Sequence, residues 1–213
     1  MSSESVRIGP PALAGDLVAP PGLRGMVVFA HGSGSSRASP RNRQVAGVLN
    51  AQGLGTLLLD LLTPDEAADR RLVFDIALLT RRLGLAIDWC GDRPALHGVP
   101  LGLFGASTGA AAALRAAAAR PQEVASVVSR GGRPDLAAEA LGAVRAPTLL
   151  IVGGDDAEVL ALNRAALRAL PCEKRLEVVP GATHLFEEPG ALDTVAWLAA
   201  DWFVDHLARS ATR

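Results

Sequence analysis

Gly105-Ala106-Ser107-Thr108-Gly109 fits G-x-S-x-G, a pattern whose small flanking residues let the chain turn sharply from strand to helix and expose a serine hydroxyl. Such a hydroxyl is a poor nucleophile at neutral pH. It needs a base beside it, and the base needs a carboxylate to fix its tautomer and support the imidazolium that forms. The order expected along the chain is Ser, acid, His. Of the four histidines only His184 and His206 follow Ser107. His206 falls in a closing amphipathic pattern, where a solvated or partly packed surface histidine is expected. His184 ends the loop Pro180-Gly181-Ala182-Thr183-His184 after an apolar run, where the base of this order belongs. Between them Gly153-Gly154-Asp155-Asp156 offers two acids; Asp156 is the choice and Asp155 the alternative, and either could instead cap the helix that follows. Two amide N–H groups must also face the oxygen that becomes negative in the tetrahedral intermediate. Thr108 N–H supplies one, and Ser33 N–H, in His31-Gly32-Ser33-Gly34, is the expected second. His31 precedes Ser107, so it is read as stabilising its loop. The competing explanation is a serine in an ordinary tight turn or a helix cap.

These residues need elements that deliver them to one place. Apolar runs of strand length occur at 13–18, 25–30, 56–61, 99–104, 124–128, 148–152 and 175–179, after a short polar start. Helical patterns lie between them, around 43–51, over 72–90 and over 110–119, and at 192–207 at the end. Such alternation predicts an α/β fold, a mostly parallel, doubly wound sheet with helices on both faces, because each parallel strand is buried on both sides. Ligands in these sheets sit beyond the carboxyl ends of the strands. The residues following each run therefore matter: His31 to Ser36, Asp60, Ser107, Ser129 to Arg133, Asp155-Asp156 and His184. Glu66 is too generic to assign.

The 213 residues fit a single domain spanning 1–213, since one core can grow to about 250 residues. The net charge of −1 gives no clustered positive surface for nucleic acid or an anionic membrane. Two cysteines, Cys90 and Cys172, are too few for a disulfide framework. No apolar run approaches the roughly 20 residues needed to span a bilayer, and the amino terminus lacks a signal-peptide pattern. A cytoplasmic location is expected. No Cys/His cluster, H-E-x-x-H or phosphate-binding loop is present, and Gly102, Gly105 and Gly109 do not form G-x-G-x-x-G, so the reading calls for no metal or cofactor.

HGSGSSR (31–37) with SPRN (39–42), GASTGAAAAL, SRGGRPDL (129–136), LLIVGGDD and GATHLFEEPG together resemble the α/β-hydrolase superfamily, and more closely its small dienelactone-hydrolase-like members. The resemblance covers about 13–207. It implies Ser107 as nucleophile, His184 as base and, from the final Asp of a GGxD pattern, Asp156 as orienting acid. Dienelactone hydrolase itself uses a cysteine nucleophile, so its substrate is not transferred to a chain with serine at 107. About 20 residues separate the fourth and fifth of the parallel runs, leaving no room there for the large lid that superfamily members insert. An open site and a small ester or thioester substrate are expected. Arg130 and Arg133 fall on the same edge as candidates for a substrate carboxylate, against the alternative of solvated loop arginines. The expected activity is serine hydrolysis through an acyl enzyme. The alternatives are a non-catalytic binding protein on this fold, and perhydrolase or cofactor-free haloperoxidase chemistry with the same triad. The oligomeric state is not legible.

Overall fold

The computed structural model describes the backbone of residues 3–210 and the side chains of residues 3–207. The elements run β1 (Glu4–Ile8), β2 (Leu13–Val18), β3 (Met26–Ala30), α1 (Pro40–Ala51), β4 (Gly55–Leu59), α2 (Pro64–Ala68), α3 (Arg70–Val73), α4 (Ile76–Asp92) and β5 (Leu101–Ala106). They continue as α5 (Thr108–Ala119), β6 (Val124–Arg130), a 3₁₀ segment (Pro134–Ala143), β7 (Thr148–Gly153), α6 (Ala157–Ala169), β8 (Lys174–Val179) and α7 (Ala191–Ser210). Eight strands form one sheet in the order β1-β2-β4-β3-β5-β6-β7-β8. Every pair from β4 to β8 is parallel, and β2 runs antiparallel to both its neighbours.

The apolar runs form strands because both sheet faces are covered. β3, β4, β5 and β7 are buried along their whole length. On one face α1 and α7 pack over Phe29 and Phe104, with Phe203 of α7 in the same cluster. On the other, α4, α5 and the 3₁₀ segment close over Leu57, Leu103 and Leu150. The alanines of α5, from Ala110 to Ala113, are fully buried, so the helix lies close against the sheet. Gly102 of β5 makes similar room for Phe203, whose ring would stand 2.6 Å from a Cβ there.

Four local expectations change. The polar start contains β1, in which Val6 and Ile8 alternate into the core and the antiparallel ladder with β2 takes the backbone donors that water would otherwise satisfy. The helix expected over 72–90 is broken at Phe74-Asp75, where Asp75 caps α4 by accepting from Leu78 N–H at 2.9 Å. β6 runs on to Arg130, pairing it with Ala106 and Ile151, so Ser129 and Arg130 belong to the strand and not to a loop after it. His206 is 8% exposed and packed inside α7, its Nδ1 2.7 Å from Trp202 O and its Nε2 3.2 Å from Glu173 Oε1. The helix turns that residue inward, so it is not a surface histidine. Among the described residues, no helix is long and apolar enough to cross a membrane.

Phe104 is fully buried with its ring centroid 4.8 Å from that of Phe29. Phe104→Ala is expected to cost about 3–5 kcal/mol, read as a lower urea midpoint at nearly constant m-value. Phe74→Ala, at a position 49% exposed, should change stability by no more than about 0.5 kcal/mol.

Candidate active site

Ser107 sits between β5 and α5 with φ 51° and ψ −120°, a conformation that costs a non-glycine residue about 1–3 kcal/mol and persists only when its surroundings fix it. They do so through the backbone. Ser107 N–H donates to Arg130 O at 3.2 Å, and Ser107 O accepts from Ala110 N–H and Arg133 N–H, each at 3.1 Å. The flanking glycines are required by contact. A Cβ on Gly109 would lie 2.2 Å from Ala30 O, and one on Gly105 would lie 2.4 Å from Ala110 Cα. The first turn of α5 therefore presses on the end of β3, and the hydroxyl stands above the carboxyl edge of the sheet.

Two other strand ends bring up the partners. Gly153, at the end of β7, has no Cβ because Ala182 O would be 2.3 Å from it, which brings the 180–184 loop onto β7. His184 Nδ1 then lies 2.6 Å from Asp156 Oδ2, and Nε2 lies 3.4 Å from Ser107 Oγ. Asp156 occupies the N-cap position of α6 but makes no side-chain cap; its carboxylate is turned to the imidazole, while Asp155 is exposed. Gly131, at φ 51°, sits beneath the ring with His184 Cε1 3.4 Å from where its Cβ would be.

The loop after β3 is tied down on both sides. His31 Nδ1–H donates to Gly32 O at 3.0 Å and Nε2 accepts from Leu61 N–H at 3.1 Å, which suits a neutral ring. Burial holds that imidazole below its usual 6.5, against the upward pull of the Gly32 carbonyl and Asp60. Arg37 pairs with Asp60, whose Oδ1 also accepts Arg37 N–H at 2.7 Å. Ser33 N–H, expected to face the reacting oxygen, donates instead to Thr108 Oγ1 at 2.9 Å. The hydroxyl of the residue after Ser107 thus holds the loop expected to supply the second donor.

The two candidate arginines part company. Arg133 Nε and Nη2 bind Asp135 at 2.8 and 2.7 Å, and Arg133 is not among the residues lining the Ser107 pocket. Arg130 is the reverse of a solvated loop arginine: it is buried at the end of β6, with Cζ 5.9 Å from the Phe186 ring centroid. It lines a pocket of about 190 Å³ with Ser107, His184, Ser39, Arg41 and Asn42. A second, mostly apolar cavity of about 340 Å³ lies across Gly32, Ser33 and Ser35, walled by Leu62, Pro64, Ala67, Val73 and Leu79. The short helices α2 and α3 form part of that wall. Sequence reasoning missed them, although Thr63-Pro64-Asp65-Glu66 is a capping-box pattern and Thr63 and Glu66 make both of its bonds. Among the described residues, no group of three or more His, Cys, Asp or Glu side chains is placed to hold a metal ion.

Gly109→Ala should destabilise the fold by about 2 kcal/mol or more, because the clash is with a backbone carbonyl that cannot rotate away; urea unfolding measures it. For His31, the unfolded chain takes up a proton near pH 6.5 and the folded chain only at lower pH. Stability is therefore complete above that pH and falls as the pH drops through the folded value. Denaturation midpoints on either side of pH 6.5 should show this fall, and His31→Asn should flatten it.

No protein-family model matches the chain. It is 58% identical over 209 residues to a curated Mycobacterium tuberculosis (strain H37Rv) protein provisionally named a phosphoribosyl transferase, covering 97% of this chain and 47% of that protein. The chain thus spans about half the length of the curated relatives it matches. Among solved structures, a dienelactone hydrolase from Anabaena variabilis is 57% identical, with 97% of both chains covered and a TM-score of 0.93. Est1E from Butyrivibrio proteoclasticus, 14% identical, matches 98% of this chain and 100% of its own at a TM-score of 0.83, a likeness of fold alone. With identity to the Anabaena enzyme running through nearly the whole of both chains, and with the sheet order and strand-end loops described above, this chain belongs to the dienelactone-hydrolase-like family of α/β-hydrolases.

Proposed function

We propose that the protein is a serine hydrolase that cleaves small carboxylic esters or thioesters through an acyl enzyme. The observation that carries the reading is the His184 ring, which stands between Asp156 Oδ2 at 2.6 Å and Ser107 Oγ at 3.4 Å. With Nδ1–H given to the carboxylate, Nε2 is left as the acceptor for the serine proton. Ser107 Oγ attacks the substrate carbonyl as its proton passes to Nε2. The imidazolium, held by Asp156, returns that proton to the departing alcohol or thiol. Water then repeats the sequence on the acyl enzyme and frees Ser107.

The oxyanion formed at each stage is met by Thr108 N–H, which as the first helical residue of α5 has no acceptor within the helix. Ser33 N–H becomes the second donor by exchanging Thr108 Oγ1 for the developing negative charge, a trade that favours the transition state over the neutral carbonyl. The apolar cavity beside this loop offers a place for a short aliphatic or aromatic part of the substrate. The phosphoribosyl transferase name belongs to proteins about twice this length and is not carried over to this segment. A non-catalytic binding role predicts an inert serine, which a labelling experiment distinguishes.

A fluorophosphonate probe is expected to label wild-type protein at Ser107 and to leave Ser107→Ala unlabelled; an unlabelled wild type would count against the reading. With p-nitrophenyl esters, short acyl chains should be preferred, and Ser107→Ala should lower kcat by roughly 10⁴-fold or more. Asp156→Asn should lower it by roughly 10³- to 10⁴-fold. Asp155→Asn should stay within about twofold of wild type, as expected for an exposed side chain away from the imidazole.

A further inference from the structure

Between β6 and the 3₁₀ segment the chain makes a tight passage through Gly131, Gly132 and Arg133. This passage bears on two of the reactive residues. Arg130 O, at its start, accepts Ser107 N–H at 3.2 Å, and Arg133 N–H, at its end, donates to Ser107 O at 3.1 Å, so the strained residue is gripped on both sides. Gly131, at φ 51°, lies against the His184 ring, where a Cβ would stand 3.4 Å from Cε1 and 3.5 Å from Nδ1. Gly132 is wedged between β6 and α5: a Cβ there would overlap Ser129 Oγ and stand 2.7 Å from Ala110 Cβ. A displacement of the passage would therefore move the serine and its base relative to one another.

Two glycines in succession have the freest backbone of any residue pair, so other groups must fix the passage. The sheet supplies one bond, from Gly131 N–H to Ile151 O at 2.8 Å. Asn163 of α6 supplies another: its Nδ2 donates to Gly132 O at 2.9 Å and, one turn back in its own helix, to Val159 O at 2.8 Å. Both neighbours are carbonyl oxygens, which sets the orientation of the amide and uses both of its N–H donors. Asn163 is fully buried, and among the described residues its Oδ1 has no partner. An idle buried acceptor costs stability that an apolar side chain would not, so packing alone does not account for an asparagine here. Asn163 also stands two turns beyond Asp156 on the same face of the helix, so the element that presents the acid is bonded to the passage that holds the serine.

We propose that Asn163 is a positioning residue for the hydrolysis: its bond to Gly132 O holds the 131–133 passage and thereby keeps the Ser107 hydroxyl and the His184 ring in line with Asp156. The inference rests on the reading of those three as the catalytic residues. Asn163 is fully buried and is not among the residues lining the Ser107 pocket, so it acts through the passage and not on substrate. Its loss should lower turnover and leave substrate binding alone, because small misplacements of reacting groups are costly to rate.

Asn163→Ser is the discriminating variant, since a serine within a helix bonds the carbonyl one turn back and so keeps the Val159 contact while falling short of Gly132 O. Asn163→Ala is the second. With p-nitrophenyl acetate, assayed well below the melting points, both should lower kcat by about 10- to 100-fold and leave KM within about twofold, because acylation and deacylation share the same three residues. Ile8→Val, which loosens the core at the far edge of the sheet, should keep the wild-type kcat. Amide hydrogen exchange followed by NMR reads the effect without substrate: relative to Val27 N–H in the centre of the sheet, Ser107, Gly131 and Arg133 N–H should exchange about tenfold faster or more in Asn163→Ser. Variants that keep the wild-type kcat, or exchange that rises uniformly across the sheet, overturn the proposal. So does exchange of those three amides in the wild type at the rate of an unstructured chain, a result that needs no variant to fold. If the wild type neither turns over the ester nor takes up a fluorophosphonate probe, it is the hydrolase reading that fails. The exchange pattern then decides alone whether Asn163 holds the turn at Ser107: selective acceleration supports it and a uniform one overturns it.

Discussion

Everything at the carboxyl edge of this sheet depends on three backbone segments lying closer together than side chains would permit. Gly109 lets the first turn of α5 approach Ala30 O, Gly105 lets that turn fold back on β5, and Gly153 lets the His184 loop settle on β7. Each contact would fall below 3 Å from a Cβ to a backbone atom, and backbone atoms in a packed sheet have little room to retreat. The strained φ of Ser107 follows from the same compression, since its N–H and carbonyl are held by β6 and by the segment after it. A side chain on a backbone held this way takes its direction from the main chain.

Around that frame the polar groups are mostly satisfied in pairs, and the pairs hold loops. His31 ties the β3 loop to the end of β4, Arg37 binds Asp60, and Thr108 Oγ1 takes the Ser33 amide. The Thr108 bond ties the loop after β3 to the turn that carries Ser107. Arg130 stands out against this economy of pairing. Its side chain is buried, its Nε and Nη1 lack hydrogen-bond partners among the described residues, and its pocket contains Ser107 and His184.

Much of the frame was legible from residue order. G-x-S-x-G after an aliphatic run and before an alanine-rich one marks a strand–turn–helix, and GGDD and PGATH after later runs mark two more strand ends. In a parallel sheet all such ends share one edge, so the convergence of Ser107, Asp156 and His184 was an expectation that topology alone supports. The polar opening strand was missed because Glu4 to Ile8 gains its stability from the ladder with β2, a partner that local pattern does not reveal. The broken helix before α4 was missed because the apolar positions of α3 and α4 keep helical spacing across a break made by the Asp75 cap.

The sequence by itself determined most of the order of strands and helices and which residue types stand at the strand ends, because these rest on local periodicity and on glycines whose need is set by the chain's own turns. Only the tertiary structure decided which of two adjacent aspartates meets the imidazole, which of two nearby arginines is buried in the pocket, and that the Ser33 amide is already bonded. In each case neighbours in the chain have the same chemistry. What separates them is the direction in which a strand end or helix start turns the side chain, and that direction is fixed by contacts with segments 20 or more positions away, such as Asp156 with His184 and Ser33 with Thr108.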